Sequence, residues 1–205
     1  MAKAVVFLAE GFEEVEAISP IDYLRRAGVE VVTAAIPVNG KSDPLVMGSH
    51  KIPVKADMTF DEYIASADGL PDAVVAPGGM PGAANIAACP LALDFIKKMF
   101  EQKKLVAAIC AAPAVVLAKT GVLAGRKYTC YPGMNRFEDY CGSKEEADKL
   151  TAGAFHVDGQ PFVADGNLIT GRGPGAAEQF SMAIVECLCG KETAQNIKEK
   201  SVQRQ

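Results

Sequence analysis

The sequence predicts an α/β sandwich around one mostly parallel sheet, and three observations carry that prediction. Short apolar, β-branched runs alternate with longer stretches of helical apolar spacing, the pattern of strands joined by helical crossovers. Gly/Pro turns follow several of the apolar runs. The 205 residues, 49% of them hydrophobic, suffice for one large domain (1–205) with a real core. No linker, repeat or low-complexity segment divides the chain.

The elements follow in order. "KAVVFLA" (3–9) is a first strand. "VEAISPIDYLRRAG" (15–28) has helical spacing and closes on Gly28; Pro20 either opens a new helix capped by Ser19 or kinks the one it lies in. "VEVVTAAI" (29–36) is a strand, and "LVMGSHKIPVKAD" (45–57) is a short hairpin with Gly48 and Ser49 between its arms. "FDEYIAS" (60–66) is a short helix, and "DAVVAPGG" (72–79) a strand ending in a glycine turn. "LALDFIKKMFEQKK" (91–104) places Leu91, Phe95, Ile96, Met99 and Phe100 on one helical face. "LVAAI" (105–109) is the next strand, with a helix after Cys110 that Gly121 stops. "KYTCYP" (127–132) reads as a strand, whereas the Gly-rich, charged region 133–160 gives no clear pattern. "NLITGRGPG" (167–175) is a strand running into a turn. "AAEQFSMAIVECLCG" (176–190) is a helix with Phe180, Ala183, Ile184, Cys187 and Leu188 inward, and a short polar helix follows Gly190.

Composition narrows the function. A net charge of −4 and a pI of about 5.3 argue against a nucleic-acid partner, which calls for a basic stripe. No apolar run approaches a membrane span. The first residues, "MAKAVVFLAEG", lack the longer apolar core and cleavage site of a secretion signal. None of the six cysteines forms a C-x-x-C pair, so neither a zinc site nor a thioredoxin-type motif is expected. A reduced, cytoplasmic protein without metal or cofactor is the expectation.

Ligands of such sheets sit beyond the carboxyl ends of the strands. The loop after the first strand, the Gly78–Gly79 turn, the Cys110 corner and the Tyr131–Pro132 turn share that edge. A side chain on a sharp strand-to-helix turn stands above the sheet and faces the free N–H groups of the helix. A thiol there is either a packed small hydrophobe or a nucleophile with a depressed pKa. Ala108, Ala111 and Ala112 meet the turn's need for small neighbours, and Pro113 fits a first helical turn. The mechanics are those of a serine nucleophile elbow with sulfur in place of oxygen.

Papain-type chemistry needs a histidine base, but the two histidines, His50 and His156, lie outside these turns and read as surface residues. The loop "EGFEEVEA" offers Glu10, Glu13, Glu14 and Glu16. Glu13 and Glu14 suit a first helical turn. Glu16, between Val15 and Ala17, is a solvated helix residue or a carboxyl buried beside the thiol and held protonated. Gly78 and Gly79 form a plain turn or offer N–H groups to an oxyanion. "GRGPG" (171–175) carries the same ambiguity and is not a P-loop. Cys130 is a second thiol beside the presumed site, better suited to packing.

"EGFEEVEAISPIDYLRRAG", "VVAPGGMPGAANI", "LVAAICAAPAVVLAKTG" and "GRGPGAAEQF", in this order and spacing, resemble the DJ-one (Parkinson-disease-protein-seven-like) branch of the ThiJ/PfpI superfamily over nearly the whole chain. The resemblance implies a flavodoxin-like three-layer sandwich and a homodimer. Cys110 would be the reactive, easily oxidised cysteine and Glu16 the protonated carboxyl bonded to it. Gly79 and Ala111, with Gly78 beside them, would present N–H groups to a substrate oxygen or a sulfinate. Tyr131, Arg172 and Pro174 would stand behind these, and Arg26 would match an arginine near the dimer interface. Two features depart from the pattern. Tyr131 stands where much of the branch has histidine, and a phenol with a pKa near 10 is a poor neutral-pH base. An arginine common in the hairpin near His50 is missing. The protease branch has histidine directly after the nucleophile; here Ala111 stands there, against proteolysis.

The implied activity is cofactor-free conversion of methylglyoxal-like aldehydes to hydroxyacids, or deglycation of a glycated protein or nucleotide. The alternative is a redox-sensing chaperone whose Cys110 oxidises to sulfinate. A role in thiamine synthesis finds no phosphate site among these residues.

Overall fold

The computed structural model describes residues 1–203. The strands are β1 (Lys3–Leu8), β2 (Glu30–Ala35), β3 (Leu45–Met47), β4 (Pro53–Lys55), β5 (Met58–Thr59), β6 (Ala73–Ala76), β7 (Leu105–Ile109), β8 (Lys127–Tyr128), β9 (Phe155–His156), β10 (Phe162–Asp165) and β11 (Leu168–Gly171). The helices are α1 (Glu14–Arg26), α2 (Phe60–Ser66), α3 (Gly82–Ala87), α4 (Pro90–Glu101), α5 (Ala112–Val115), α6 (Lys144–Leu150), α7 (Ala177–Cys189) and α8 (Lys191–Lys200).

Seven strands form the central sheet in the order β10-β11-β7-β6-β1-β2-β5. All neighbours are parallel except the edge pair β10–β11. Buried on both faces, the parallel strands read as continuous runs such as AVVA and LVAAI rather than alternating patterns. Successive residues of β1 serve opposite layers. Phe7 meets Phe60 of α2 edge-on at 5.0 Å and lies 6.0 Å from Phe95 of α4. Leu8 packs instead with Ala17 of α1. α1 and α7 pack together, and α8 packs on α7. The chain is a three-layer α/β sandwich.

α2 has the bounds its sequence predicts, fixed by a capping box in which Thr59 and Glu62 bond each other's backbone N–H. α1 runs through Pro20 without dividing, so Ser19 caps nothing. The hairpin forms from β3 and β4.

Other segments differ from expectation. The expected strand 127–132 keeps only Lys127–Tyr128, which pairs with β9 outside the main sheet. Its amides go elsewhere: Lys127 N to Asp165 Oδ2, Thr129 N to Thr170 Oγ1 and Tyr131 N to the Cys110 carbonyl. The helix after Cys110 is a single α turn followed by a 3-10 turn at Leu117–Lys119, consistent with β-branched Val115 and Val116 at the break. Cys187 is exposed rather than inward, because α7 turns Phe180, Ser181, Ile184 and Val185 to the core. The region 133–160 holds α6, β9 and a 3-10 turn at Phe137–Asp139. α3 and the edge strand β10 are too short to signal themselves by periodicity.

Candidate active site

β7 ends at Ile109, and Cys110 turns the chain with φ +63, a left-handed conformation costly for a residue with a Cβ. Two backbone bonds hold it, and a third starts the turn that follows. Cys110 N donates to Gly171 O at 2.9 Å, its carbonyl accepts from Tyr131 N at 2.8 Å, and Ala111 O starts the following turn. The adjacent strands β6, β7 and β11 thus bring the Gly78 turn, the cysteine and the Gly171–Pro174 loop to one edge.

Glu16 reaches this corner from the first turn of α1. The N-cap residue Glu13 accepts the Glu16 N–H at 2.8 Å, and Glu13 N is itself bound by Gly78 O at 3.0 Å. The Glu16 side chain is fully buried, with Oε2 accepting Gly78 N at 2.9 Å, and it lies with Cys110 against Gly78. Glu16 Oε1 is buried without a hydrogen-bond partner. The N–H groups of Gly79 and Ala111 also point at the sulfur. Gly78 must be glycine: a Cβ there would lie 2.7 Å from Glu16 Oε2 and 2.8 Å from Cys110 Cβ.

Burial raises the Glu16 pKa to about 7, Glu13 adds to the rise, and the bonds from Cys110 and Gly78 hold it back. Burial, then the charge and hydrogen bond of an ionised Glu16, push the Cys110 thiol up to about 12 against the pull of the Gly79 and Ala111 N–H groups. The expected depressed thiol pKa is thereby corrected. Cys110 is only 8% exposed, and the four-residue α5 brings individual N–H groups rather than a large macrodipole. The two groups act as one coupled acid. Near neutrality the pair passes to a state holding a single proton. With that proton on Glu16, the sulfur is a thiolate facing three donors.

The other expected residues divide. Tyr131, Arg172 and Pro174 line one groove of about 380 Å³ with Pro132, Gly159 and Pro161, beside the Cys110 turn. Arg26 is not at the site: it ends α1, ten residues along the helix from Glu16, exposed and paired with Asp22 at 2.6 Å. Cys130 is buried; burial, then Asp158, raises its pKa to about 11, and its thiol donates to Tyr131 O at 3.5 Å. His156 lies in β9 with its ring 5.3 Å from Tyr128.

His50 is more than a surface residue. Its ring bonds Glu14 at 2.8 Å and its backbone N–H bonds the same carboxyl at 2.7 Å, which ties the hairpin to the start of α1. Burial acts to raise the Glu14 pKa, but the His50 ring and backbone N–H bonds outweigh it and hold the group down at about 2. Glu13, Glu14 and His50 have possible metal-ligand atoms within 4.8 Å of one another, the one such trio among the described residues. Both Glu14 oxygens already accept hydrogen bonds there. A larger cavity of about 740 Å³, lined by Phe162, Glu178, Met182 and Lys198 among others, has no cysteine, serine or threonine in its lining.

Sequence reasoning missed Glu13 as the cap that fixes Glu16 and Gly171 as the acceptor for Cys110. The spacing of three between Glu13 and Glu16 was a readable signal for the cap; Gly171 gave none apart from its place in a Gly-rich turn.

A three-layer sandwich with a cysteine elbow facing a buried carboxyl defines a class of cysteine-centred α/β proteins. The match to the DJ-1/PfpI family model covers residues 2–187, and the chain belongs to that family. It is similar to the Parkinson disease protein 7 homolog of Danio rerio, 36% identical over 197 residues, covering 96% of this chain and 94% of the relative. A protein of Pyrococcus abyssi named as a deglycase is 33% identical over 186 residues, covering 91% of this chain and 99% of its own length. Among solved structures, a mutant of a DJ-1 superfamily protein from Salmonella typhimurium aligns over 100% of both chains with a TM-score of 0.84 and 35% identity. Oxidised Toxoplasma gondii DJ-1 aligns over 98% of both chains with a TM-score of 0.82 and 33% identity. No helix among the described residues is long and apolar enough to cross a membrane.

Proposed function

We propose that this chain is a cofactor-free, cysteine-dependent enzyme that acts on methylglyoxal-like aldehydes, of glyoxalase or deglycase type. The observation that carries the reading is the fully buried Glu16 carboxyl beside a cysteine on a left-handed turn. The deglycase-named relative supports it.

In this reading the Cys110 thiolate adds to the aldehyde carbon, forming a C–S bond, and the Glu16 proton goes to the new oxyanion. The Gly79 and Ala111 N–H groups steady that oxygen. The Glu16 carboxylate then takes the hydrogen from the former aldehyde carbon and returns a proton to the neighbouring carbon, while the hydroxyl proton on the former aldehyde carbon passes to the neighbouring oxygen. The resulting thioester is cleaved by water, which supplies the hydroxyl of the acid and regenerates the thiol. Methylglyoxal plus water gives lactate with no net oxidation. With Tyr131 in place of a histidine, no imidazole assists and turnover is modest. On glycated protein or nucleotide, the same thiolate would attack the carbonyl-derived carbon of the adduct.

Lactate formation from methylglyoxal by wild type, Cys110→Ala and Glu16→Gln tests the reading. Turnover confined to wild type supports it; wild-type turnover no higher than that of Cys110→Ala rejects it.

A second reading has its own observation, the oxidised relative of similar fold. Two successive peroxides each deliver one oxygen to the Cys110 sulfur and leave as water, giving a sulfinate held by Glu16 and the turn's N–H groups. Intact-mass mapping after graded peroxide decides it: Cys110 gains two oxygens before the other thiols, or the sensor reading fails. For quaternary structure, Val15 and Ile18 of α1 and Leu45 and Ile52 of the hairpin are exposed apolar side chains, and on these we place a second copy. Ile18→Glu would then shift the mass in solution from dimer to monomer.

A further inference from the structure

We propose that Glu13, Glu14 and His50 form a binding site for one divalent metal ion of the zinc class, held between the first turn of α1 and the β3–β4 hairpin. The site uses none of the cysteines. It stands apart from the aldehyde reading, since no step of that reaction passes through it.

The hairpin is fixed against α1 by its own backbone. Phe12 and Gly48 form an isolated parallel bridge, and Ser49 N donates to Phe12 O at 2.8 Å. Gly48 must be glycine there, because a Cβ would overlap the Glu14 carboxyl. Glu14 Oε1 accepts the backbone N–H of His50 at 2.7 Å. The His50 ring is thereby brought to both carboxylates: Nδ1 lies 2.8 Å from Glu14 Oε2 and 3.9 Å from Glu13 Oε1. The three candidate ligand atoms all fall within 4.8 Å of one another. Ligands about 2.0–2.2 Å from a tetrahedral zinc ion lie roughly 3.3–3.6 Å apart, between the two observed spacings. A swing of the His50 ring, whose side chain is 69% exposed, closes the difference.

A helix N-terminus favours acids, and that accounts for part of the cluster. Glu13 Oε2 accepts the Glu16 N–H, and Glu14 Oε1 the hairpin amide. It does not account for Glu13 Oε1. Glu13 is only 8% exposed, yet this oxygen accepts no hydrogen bond from the described residues and faces the His50 ring. The two buried carboxylates have His50 as their one basic side-chain partner among the described residues. Buried carboxylates are ordinarily paired, or they coordinate a metal. An ion here takes the place of the proton between Nδ1 and Glu14 Oε2, which passes to solvent, and gains Glu13 Oε1 as its third ligand. The His50 N–H stays on Glu14 Oε1, so the hairpin need not open. One imidazole with two carboxylates suits zinc, cobalt or nickel, whereas magnesium and calcium call for oxygen alone. The exposed side of His50 leaves a fourth position to water.

Calorimetric titration of the full chain with Zn²⁺ tests the site, beside near-ultraviolet and visible spectra of the protein loaded with Co²⁺. One ion per chain is expected. His50→Ala and Glu13→Gln should each weaken zinc at least about tenfold, the least that loss of a group merely orienting a ligand costs. Lys55→Ala, on the same hairpin, should leave the affinity unchanged. The cobalt spectrum should carry the bands of a nitrogen and oxygen set, without the charge-transfer absorption that a thiolate ligand gives. Zinc should also raise the thermal midpoint of wild type and not that of His50→Ala, because the ion ties hairpin to helix. No binding at millimolar zinc, an affinity that survives both substitutions, or thiolate absorption at the first equivalent of cobalt would each overturn the inference. So would half an ion per chain, which places the ion between two copies. Should a variant fail to fold, the wild-type stoichiometry and cobalt spectrum decide.

Discussion

The carboxyl of Glu16 and the side chain of Cys110 meet at Gly78 across 94 residues of sequence, with Glu16 sealed from solvent and Cys110 nearly so. Neither group can be assigned a charge without stating where the other's proton is. The site's pH behaviour follows from this pair.

Glu16 has a folded pKa of about 7, above its ordinary 4.5. The native state therefore binds a proton that the unfolded chain has released between those values, and this contribution to stability declines as pH rises through that window. Wild type should lose roughly 3 kcal/mol relative to Glu16→Gln between about pH 4.5 and 7, at about 1.4 kcal/mol per pH unit. Urea unfolding of both proteins across this range measures it. Parallel stability curves would remove Glu16 as the titrating group.

Alkylation of Cys110 supplies a kinetic counterpart. The singly protonated pair forms near pH 7, so the wild-type rate with iodoacetamide should inflect there. In Glu16→Gln that inflection should move or vanish. Peptide mapping is required, because exposed Cys187 reacts as well.

Gly78→Ala should damage site and fold together. The new Cβ would press on Glu16 Oε2, Cys110 Cβ and Ala111 N, at 2.7, 2.8 and 2.9 Å. Overpacking of this kind costs about 1–3 kcal/mol. Calorimetry should show a lowered midpoint, and Cys110 alkylation should slow at least about tenfold as the carboxyl is displaced.

His50→Ala tests the tie between the hairpin and α1. The hydrogen bond to Glu14, then its charge, raises the His50 pKa, so the histidine's share of stability is full below its ordinary 6.5 and disappears as pH rises through the raised value. Glu14, held at about 2, contributes above its ordinary 4.5 and loses that contribution as pH falls through the lowered value. The deficit of His50→Ala in urea midpoint should therefore peak between about pH 4.5 and 6.5 and shrink by pH 9.

The aromatic cluster beneath the sheet sets the largest stability effect. Phe60 is fully buried and lies 5.0 Å from Phe7 and 5.6 Å from Phe95. Phe60→Ala should cost about 3–5 kcal/mol in chemical unfolding. The alkylation rate of Cys110, which follows β7 and not the β2–β5 side on which α2 packs, should change far less than the stability.

The sandwich was legible because its strands and longer helices carry strong local signals. β7 and α2 have the bounds read from LVAAI and FDEYIAS. The 127–132 segment misled because its apolar content matches a strand, while Asp165, Thr170 and Cys110 take its backbone N–H groups. Those partners lie 21 to 41 residues away, outside any local pattern. Cys187 misled through helical phase, since a small rotation of α7 decides which side of the stripe is buried. The proximity of Cys110, Glu16 and the glycine turn was legible from the shared strand edge. The direction of the thiol's pKa was not, because it depends on how deeply the sulfur is buried and on a carboxyl that sequence cannot place within bonding distance.

The small β3–β4 hairpin contributes nothing to the main sheet, yet Glu14 fastens it to the helix turn from which Glu16 projects. Changes on this outer arm, remote from the sulfur in sequence and open to solvent, can tilt that turn and reset which partner keeps the shared hydrogen. The reactivity of the buried centre is in this way adjustable from the surface, without touching any residue that meets the substrate.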